Sequence, residues 1–318
     1  MISLARLLSG KIPTIEIVDV GAMDVEGMAP PYEPLLAVAG LARVTGFEPV
    51  PEEFAKFNAR AVPGRRALPY FIGDGTEGVF RTCDPAMTSS LYEPNLDLCT
   101  RFFGLAEVMR VVKRERVQTT RLDDIAELTR IDYLKMDIQG GELNALRGGE
   151  RALREALVID LEVEFVPLYV DQPLFADVDR HLRGMGFLFH GFATNNVGGR
   201  SMKPLRHPID DSHTYGQLLW GDAVYVRDYT KLGALSPDEL LKLAVVMNDA
   251  YAAPDMAAHA LMERDRQTGS RTSEAFVRMF EHDYIRWHNE EQARAARAVG
   301  QPAPVPIPLP PAPAGLTL

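Results

Sequence analysis

The feature that most limits the fold of this chain is an alternation. Up to about residue 230, short β-branched apolar runs ending in Gly, Asp or Glu are separated by longer stretches of helical period. Parallel strands need crossovers of a dozen or more residues, and helices usually supply them, so this pattern predicts an α/β domain with a mostly parallel sheet covered by helices. The predicted strands are TIEIVDV at 14–20, ARVTGFE at 42–48, LPYFIG at 68–73, DYLKMD at 132–137, ALVIDLEVE at 156–164, FLFHGF at 187–192 and DAVYVRD at 222–228. The first five are nearly continuous in apolar residues, as strands buried on both faces should be. Between the fourth and fifth, GGELNALRGGERALRE sets Leu143, Leu146 and Leu153 at helical spacing, which suits a helix lying on the sheet.

After Ser236 the strand pattern stops. SPDE offers a serine N-cap, a proline at the first helical position and carboxylates in the first turn, and it opens a helical appendage over residues 233–298. Residues 299–318 are proline-rich and predict an extended, solvated tail. The α/β domain then spans 1–232. A hydrophobic content of 46% is ample for a core. The formal charge of −10 leaves no basic stripe for a phosphate backbone, so nucleic acid is not an expected partner. Cys83 and Cys99 have neither metal-ligand nor redox spacing. No apolar run is long enough for a membrane span, and a cytoplasmic location is expected.

The strand ends carry the chemistry. In an open parallel sheet, ligands bind beyond the carboxyl ends of the strands, near the point where strand order reverses. The first strand runs into VDVGAMDVEG, which holds Asp19, Gly21, Asp24 and Gly27. The G-x-G-x-x-G fingerprint of a pyrophosphate cradle is missing, which argues against a nicotinamide oxidoreductase. Acids here would repel a pyrophosphate and attract a ligand bearing an amino group and a positive charge, and S-adenosylmethionine has both. Glu48, at the end of the second strand, can accept from both ribose hydroxyls; Asp74, beside Gly75 after the third, can accept from an adenine amino group. A single acid at a strand end is more often a turn residue or a helix cap; several in series on one rim form a pattern.

The stretch LKMDIQGGE at 134–142 brings a strand up to Asp137 and then breaks into Gly140 and Gly141. Together with VDVGA, FEP, LDDI at 122–125 and LEVEFVPLYVDQPLFADVDRHLRGMGF at 161–187, it resembles the FkbM family of S-adenosylmethionine-dependent methyltransferases over about two-thirds of the chain. The resemblance implies a Rossmann-like class I methyltransferase fold, with a seven-stranded, mostly parallel sheet whose antiparallel last strand DAVYV supplies. It also implies methyl transfer, usually to a hydroxyl oxygen of a sugar or secondary metabolite, and so a small-molecule or carbohydrate acceptor. Asp19, Gly21, Ala22, Glu48, Pro49, Asp74, Gly75, Ser90 and Asp137 are the expected cofactor-binding residues. Family members usually continue from D-x-G-A through an asparagine and a glycine into the first helix. Here MDVEGMAPPYEP intervenes, and its prolines put the first helix near Glu33.

Methyl transfer to a hydroxyl needs a proton acceptor. The candidates are Asp137, Glu162, Glu164 and His190, with Asp137 and Glu162 leading. Gly140 and Gly141 would leave open space beside Asp137; alternatively they only turn the chain while Asp137 caps the next helix. By the period of two, Lys135 shares a side with Asp137, and Glu162 shares one with Glu164. No metal site is expected, and His181, His207 and His213 have no ligand spacing. RTCDPAMTSSLYEPN, with Ser89, Ser90 and Tyr92, reads as a lid, and the long polar segment between strands six and seven reads as a substrate loop. The helical appendage could form a homodimer contact or cover the site. The competing reading is a non-catalytic scaffold that keeps the cofactor fold and binds a partner.

Overall fold

In the computed structural model, which describes residues 2–23, 29–59, 62–205, 216–298 and 301–310, ten strands form two sheets. The strands are β1 (Ile15–Val20), β2 (Ala42–Phe47), β3 (Arg65–Leu68), β4 (Phe71–Ile72), β5 (Glu77–Asp84), β6 (Arg110–Thr120), β7 (Tyr133–Met136), β8 (Val158–Glu164), β9 (Phe187–Arg200) and β10 (Gln217–Arg227). The large sheet has the order β3-β2-β1-β7-β8-β10-β9. β3, β2, β1, β7 and β8 pair in parallel, and β10 is antiparallel to both β8 and β9. Strand order therefore reverses between β1 and β7, the position at whose carboxyl ends open parallel sheets bind ligands. This is the Rossmann-like methyltransferase sheet with its antiparallel last strand.

The alternation of side chains sets up the core. Val18, Val20, Leu134, Met136, Ile159, Leu161 and Val163 are all buried in one apolar cluster. Leu143 and Leu146 of the helix Glu142–Arg147, Leu153 just beyond it, and Val178 and Leu182 of the helix Phe175–Gly184 belong to the same cluster. Each fully buried aliphatic side chain contributes about 1.5–3 kcal/mol. The helix at 142 is short because Gly148 follows it: a Cβ there would stand 2.3 Å from the Gly73 carbonyl oxygen, so the chain can pass only without a side chain.

Four predicted strands match β1, β2, β7 and β8 to within two residues at either end. The predicted strand at 68–73 is corrected to two pieces. β3 ends at Leu68, Pro69 follows, and Phe71 and Ile72 pair with β6 in a separate three-stranded sheet of order β4-β6-β5. β5 and β6 had no counterpart in the prediction. β6, RVVKRERVQTT, leaves most of its residues half or fully exposed, so its apolar periodicity is faint. β9 and β10 are longer than predicted, and part of the supposed substrate loop, through Arg200, continues β9 as an antiparallel partner of β10. The rest of that loop from 206 to 215, with His207 and His213, lies outside the described residues, as do Asp24 and Gly27.

Two compact units are present: Ile15–Ala29 with Ala42–Thr230, which holds both sheets, and a helical unit of Met1–Thr14, Pro30–Leu41 and Lys231–Leu318. The helical unit is thus not continuous in sequence. Its helix Pro237–Asp249 starts with a capping box, Ser236 accepting from Glu239 N and Glu239 accepting from Ser236 N, and every residue from Leu240 to Asn248 is buried. At the far end of that helix the Asp249 carboxylate accepts from Leu4 N at 2.9 Å and Ala5 N at 3.3 Å, which fixes the short helix Leu4–Leu7. A one-turn helix does begin at Glu33. The helices Pro254–Thr268 and Thr272–Ala298 complete the unit, and Asn289 of the last one bonds both the N–H and the carbonyl of Ile307 in the proline-rich tail. Among the described residues no helix is long and apolar enough to cross a membrane.

Candidate active site

Strand register gathers charged side chains into rows on one face of the large sheet. Asp19 of β1 is level with Lys135 of β7, which is level with Asp160 of β8. Two residues further on, and so on the same face, come Asp137 and Glu162, with Asp222 of β10 opposite Glu162. Lys135 Nζ stands 3.6 Å from Asp19 Oδ1. Burial alone would lower the lysine's pKa, yet Asp19, Asp137, Asp222 and Asp160 together raise it, so the ammonium persists inside an acidic cluster.

The turn after β1 is held against its neighbours on both sides. The amides of Gly21 and Ala22 both donate to the Phe47 carbonyl, at 3.1 and 3.2 Å, and the Asp137 amide donates to the Val20 carbonyl at 2.9 Å. Gly21 has φ +80°, and a Cβ on it would lie 1.9 Å from the Asp137 carbonyl oxygen. No other residue fits there. Glu48 follows β2 with only 3% of its surface exposed, and its Oε1 accepts from Val50 N at 2.9 Å. Burial pushes its pKa up to about 7; the Val50 amide opposes this, while Glu53 and Asp19 add to it. Pro49, half-buried, continues the same turn.

Beyond β7 the expected open space is filled. Gln139 reaches from its loop between two carboxylates: Nε2 donates to Asp137 Oδ1 at 2.9 Å and to Glu162 Oε2. The Tyr169 hydroxyl lies 2.8 Å from Gln139 Oε1 and 3.0 Å from the Thr88 carbonyl. Glu162 is held well above the usual carboxylate range by burial first and then by Asp137, Glu164 and Asp222. Glu164, almost fully buried, is raised by burial and then by Glu142. A side-chain hydrogen bond from buried Gln172 opposes that rise. Glu142 accepts from Ile138 N at 2.8 Å and is pushed up to about 7, chiefly by burial. Asp222, bonded by Asn196 Nδ2 at 2.7 Å, rises to about 6 through burial and Asp137.

The other expected residues lie at varying distances from this group. Ser90, fully buried, donates to the Gln139 carbonyl at 2.6 Å and accepts from Tyr92 N. Its segment is no loose lid: Ser90 bridges Arg81, the amides of Asn95 and Val170 bond Leu168 and Glu93 carbonyls, and Tyr92 OH accepts from Asn144. Ser89 accepts from Cys83 N. Asp74 is exposed and accepts from the N–H and hydroxyl of Thr76, which lowers its pKa, and Gly75 N donates to Thr119 Oγ1. Both residues turn the chain between β4 and β5 in the small sheet. His190 is exposed on β9, an edge strand that β10 separates from β8, so it does not join Asp137 and Glu162. His181 is half-buried, 3.7 Å from Glu150.

Gln139, Tyr169, Glu142, Asp222 and Asn196 were not predicted as members of the site. Gln139 stands within the quoted LKMDIQGGE, and Asp222 begins the last predicted strand; only the antiparallel register puts it beside Glu162. Among the described residues no group of three or more His, Cys, Asp or Glu side chains is arranged to hold a metal ion. A cavity of about 660 Å³, lined by residues from Leu122 to Ala126, from Leu128 to Ile131, and by Arg151, Ala152, Arg154 and Glu155, adjoins the amino-terminal ends of β7 and β8, away from this cluster. Its Arg130 and Arg151 are already taken up by Asp132, Glu155 and Asp123.

Residues 18–189, more than half of the chain, match the model of the methyltransferase FkbM domain. No curated protein matches the sequence. Among solved structures, a putative methyltransferase from Thermoplasma acidophilum is 10% identical with a TM-score of 0.35, covering 68% of this chain and 69% of its own. Magnesium protoporphyrin IX methyltransferase from Synechocystis PCC 6803, solved with S-adenosylmethionine bound, is 14% identical with a TM-score of 0.34, covering 70% and 76%. These likenesses are too distant to bear on the chemistry.

Proposed function

Because the chain belongs to the FkbM methyltransferase family and its methyl donor is S-adenosylmethionine, we propose that it methylates a hydroxyl oxygen of a carbohydrate or related small metabolite. The observation that carries this reading is the pairing of Asp137 and Glu162 at the carboxyl ends of adjacent strands, beside the point where strand order reverses. A site that transfers a methyl group to a hydroxyl must also remove its proton, and two close carboxylates, of which Glu162 is held well above the usual range by burial, are suited to that.

The residues present fit the donor. Gly21 lets the turn after β1 lie directly against the Asp137 carbonyl oxygen, where any Cβ would clash, and Glu48 offers a buried carboxylate with one bond from Val50, able to accept from ribose hydroxyls. Asp19, Ala22, Pro49, Ser90 and Asp137 complete the proposed donor site. Asp74 and Gly75 would contribute only through the small sheet. Bound S-adenosylmethionine supplies an electrophilic methyl on a cationic sulfur. The acceptor hydroxyl would take that methyl group from sulfur and give up its proton to Asp137 or Glu162, so these carboxylates orient the hydroxyl and hold its proton. Glu164 helps keep the proton affinity of Glu162 high, Lys135 keeps the cluster from being wholly negative, and His190 stands apart from this step.

In this reading the sheet-bearing part of residues 1–232 is the methyltransferase domain, 233–298 joins residues 1–14 and 30–41 in a helical appendage that offers a homodimer contact, and 299–318 is a tail, in a cytoplasmic protein. The test is transfer of a labelled methyl group from S-adenosylmethionine to a panel of saccharides, other polyols and their amine analogues. Asp137→Asn and Glu162→Gln should retain donor binding and lose about 10²-fold or more in turnover. Undiminished turnover in both variants would reject the assignment, and transfer confined to amines would reject the hydroxyl acceptor.

A further inference from the structure

Gln139 is fixed at every point by which a glutamine can be held. Its backbone has φ +56°, a left-handed conformation unusual for a residue other than glycine, and its carbonyl accepts from buried Ser90. Both amide hydrogens are used, one on Asp137 and one on Glu162, while Oε1 faces the Tyr169 hydroxyl. Turning the amide over would set Oε1 against two carboxylates, so the two acids, together with the Tyr169 hydroxyl at Oε1, hold the orientation in which the NH₂ group faces both acids.

We propose that Gln139 is a positioning residue: it keeps Asp137 and Glu162 apart as two separate hydrogen-bond acceptors and prevents them from closing into a pair that shares one proton. This rests on the reading of these carboxylates as the proton acceptors. Adjacent strands lie about 4.8 Å apart, close enough for two carboxyl groups to share a proton directly. A shared proton is held tightly, and then neither group is free to take one from a substrate. With Gln139 in place, a proton on Glu162 sits on Oε1, the oxygen that the amide does not reach. Glu142, Glu164, Asp222 and the Tyr169 hydroxyl surround Glu162, and Lys135 faces Asp137 and Asp222, so the amide acts in a field that otherwise favours protonation.

The test is ¹³C NMR of the ligand-free protein labelled at the glutamate side-chain carboxyls, titrated with pH, the Glu162 signal being the one lost in Glu162→Gln. Gln139→Leu should raise the Glu162 midpoint by about one pH unit or more, the scale of a lost hydrogen bond to a charged group. Tyr169→Phe, which frees the amide to turn, should move it in the same direction by less. Calorimetric affinity for the demethylated cofactor should stay within about twofold in both. An unmoved or lowered midpoint in either folded variant would overturn the proposal. The two claims fail separately: full turnover in Asp137→Asn and Glu162→Gln would reject the proton-acceptor role while leaving the midpoint shift intact.

Discussion

Lys135 and Asp19 are lateral neighbours on adjacent parallel strands, with Nζ 3.6 Å from Oδ1 and both side chains largely buried. The lysine also faces Asp137, Asp160 and Asp222, so it is the cation around which an otherwise negative face is built.

Lys135→Met should therefore destabilise the sheet-bearing unit by about 3 kcal/mol, because it strands buried carboxylates without a counter-charge. Thermal unfolding should show a Tm lower by roughly 5–10 °C. An unchanged Tm would mean that the acids take up protons at no cost and that the lysine is dispensable.

Gly21→Ala should cost about 3 kcal/mol or more. Its Cβ would lie 1.9 Å from the Asp137 carbonyl oxygen at a φ of +80°, so β1 and β7 must part where strand order reverses. Denaturant unfolding gives the stability, and affinity for the demethylated cofactor should fall with it.

Stability should depend on pH with a definite sign. Burial raises Glu48 and Glu142 to about 7 and Asp222 to about 6, all above their unfolded values. The folded chain holds protons that the unfolded chain has released, so this contribution is present below about pH 4.5 and is lost as pH rises through about 6–7. The ligand-free protein should melt at a higher temperature at pH 5.5 than at pH 7.5, and Glu48→Gln should reduce the difference. A Tm that climbs over this interval would contradict the burial of these acids.

Much of this site could be read along the chain before any coordinates. TIEIVDV, DYLKMD and ALVIDLEVE announce central strands because residues on both faces are apolar, and the acids that end them stand out by contrast. That contrast placed Asp19, Glu48, Asp137 and Glu162 on the sheet that holds them. Asp74 went to the small sheet instead, because Pro69 ends β3 before the apolar run is over, which composition alone does not signal. β5 and β6 escaped notice since charged pairs such as Arg110 of β6 with Asp84 of β5, and not an apolar face, line their surface. Gln139 gave no sign of its position: an uncharged amide beside two glycines looks like a turn, and its bridging role exists only once β7 and β8 are side by side.

The most direct measurement is calorimetric titration of the ligand-free protein with S-adenosylmethionine and with its demethylated product between pH 5.5 and 8. The two differ by the positive charge on sulfur, and the neighbouring carboxylates ionise across that interval. Preference for the methylated form should grow by about tenfold or more as pH rises, tenfold being the scale of one charge pair about 12 Å apart at an effective dielectric constant of about 20. A preference that stays flat or shrinks, or no binding of either compound at millimolar concentration, would contradict the claim that this acidic face receives a cationic methyl donor.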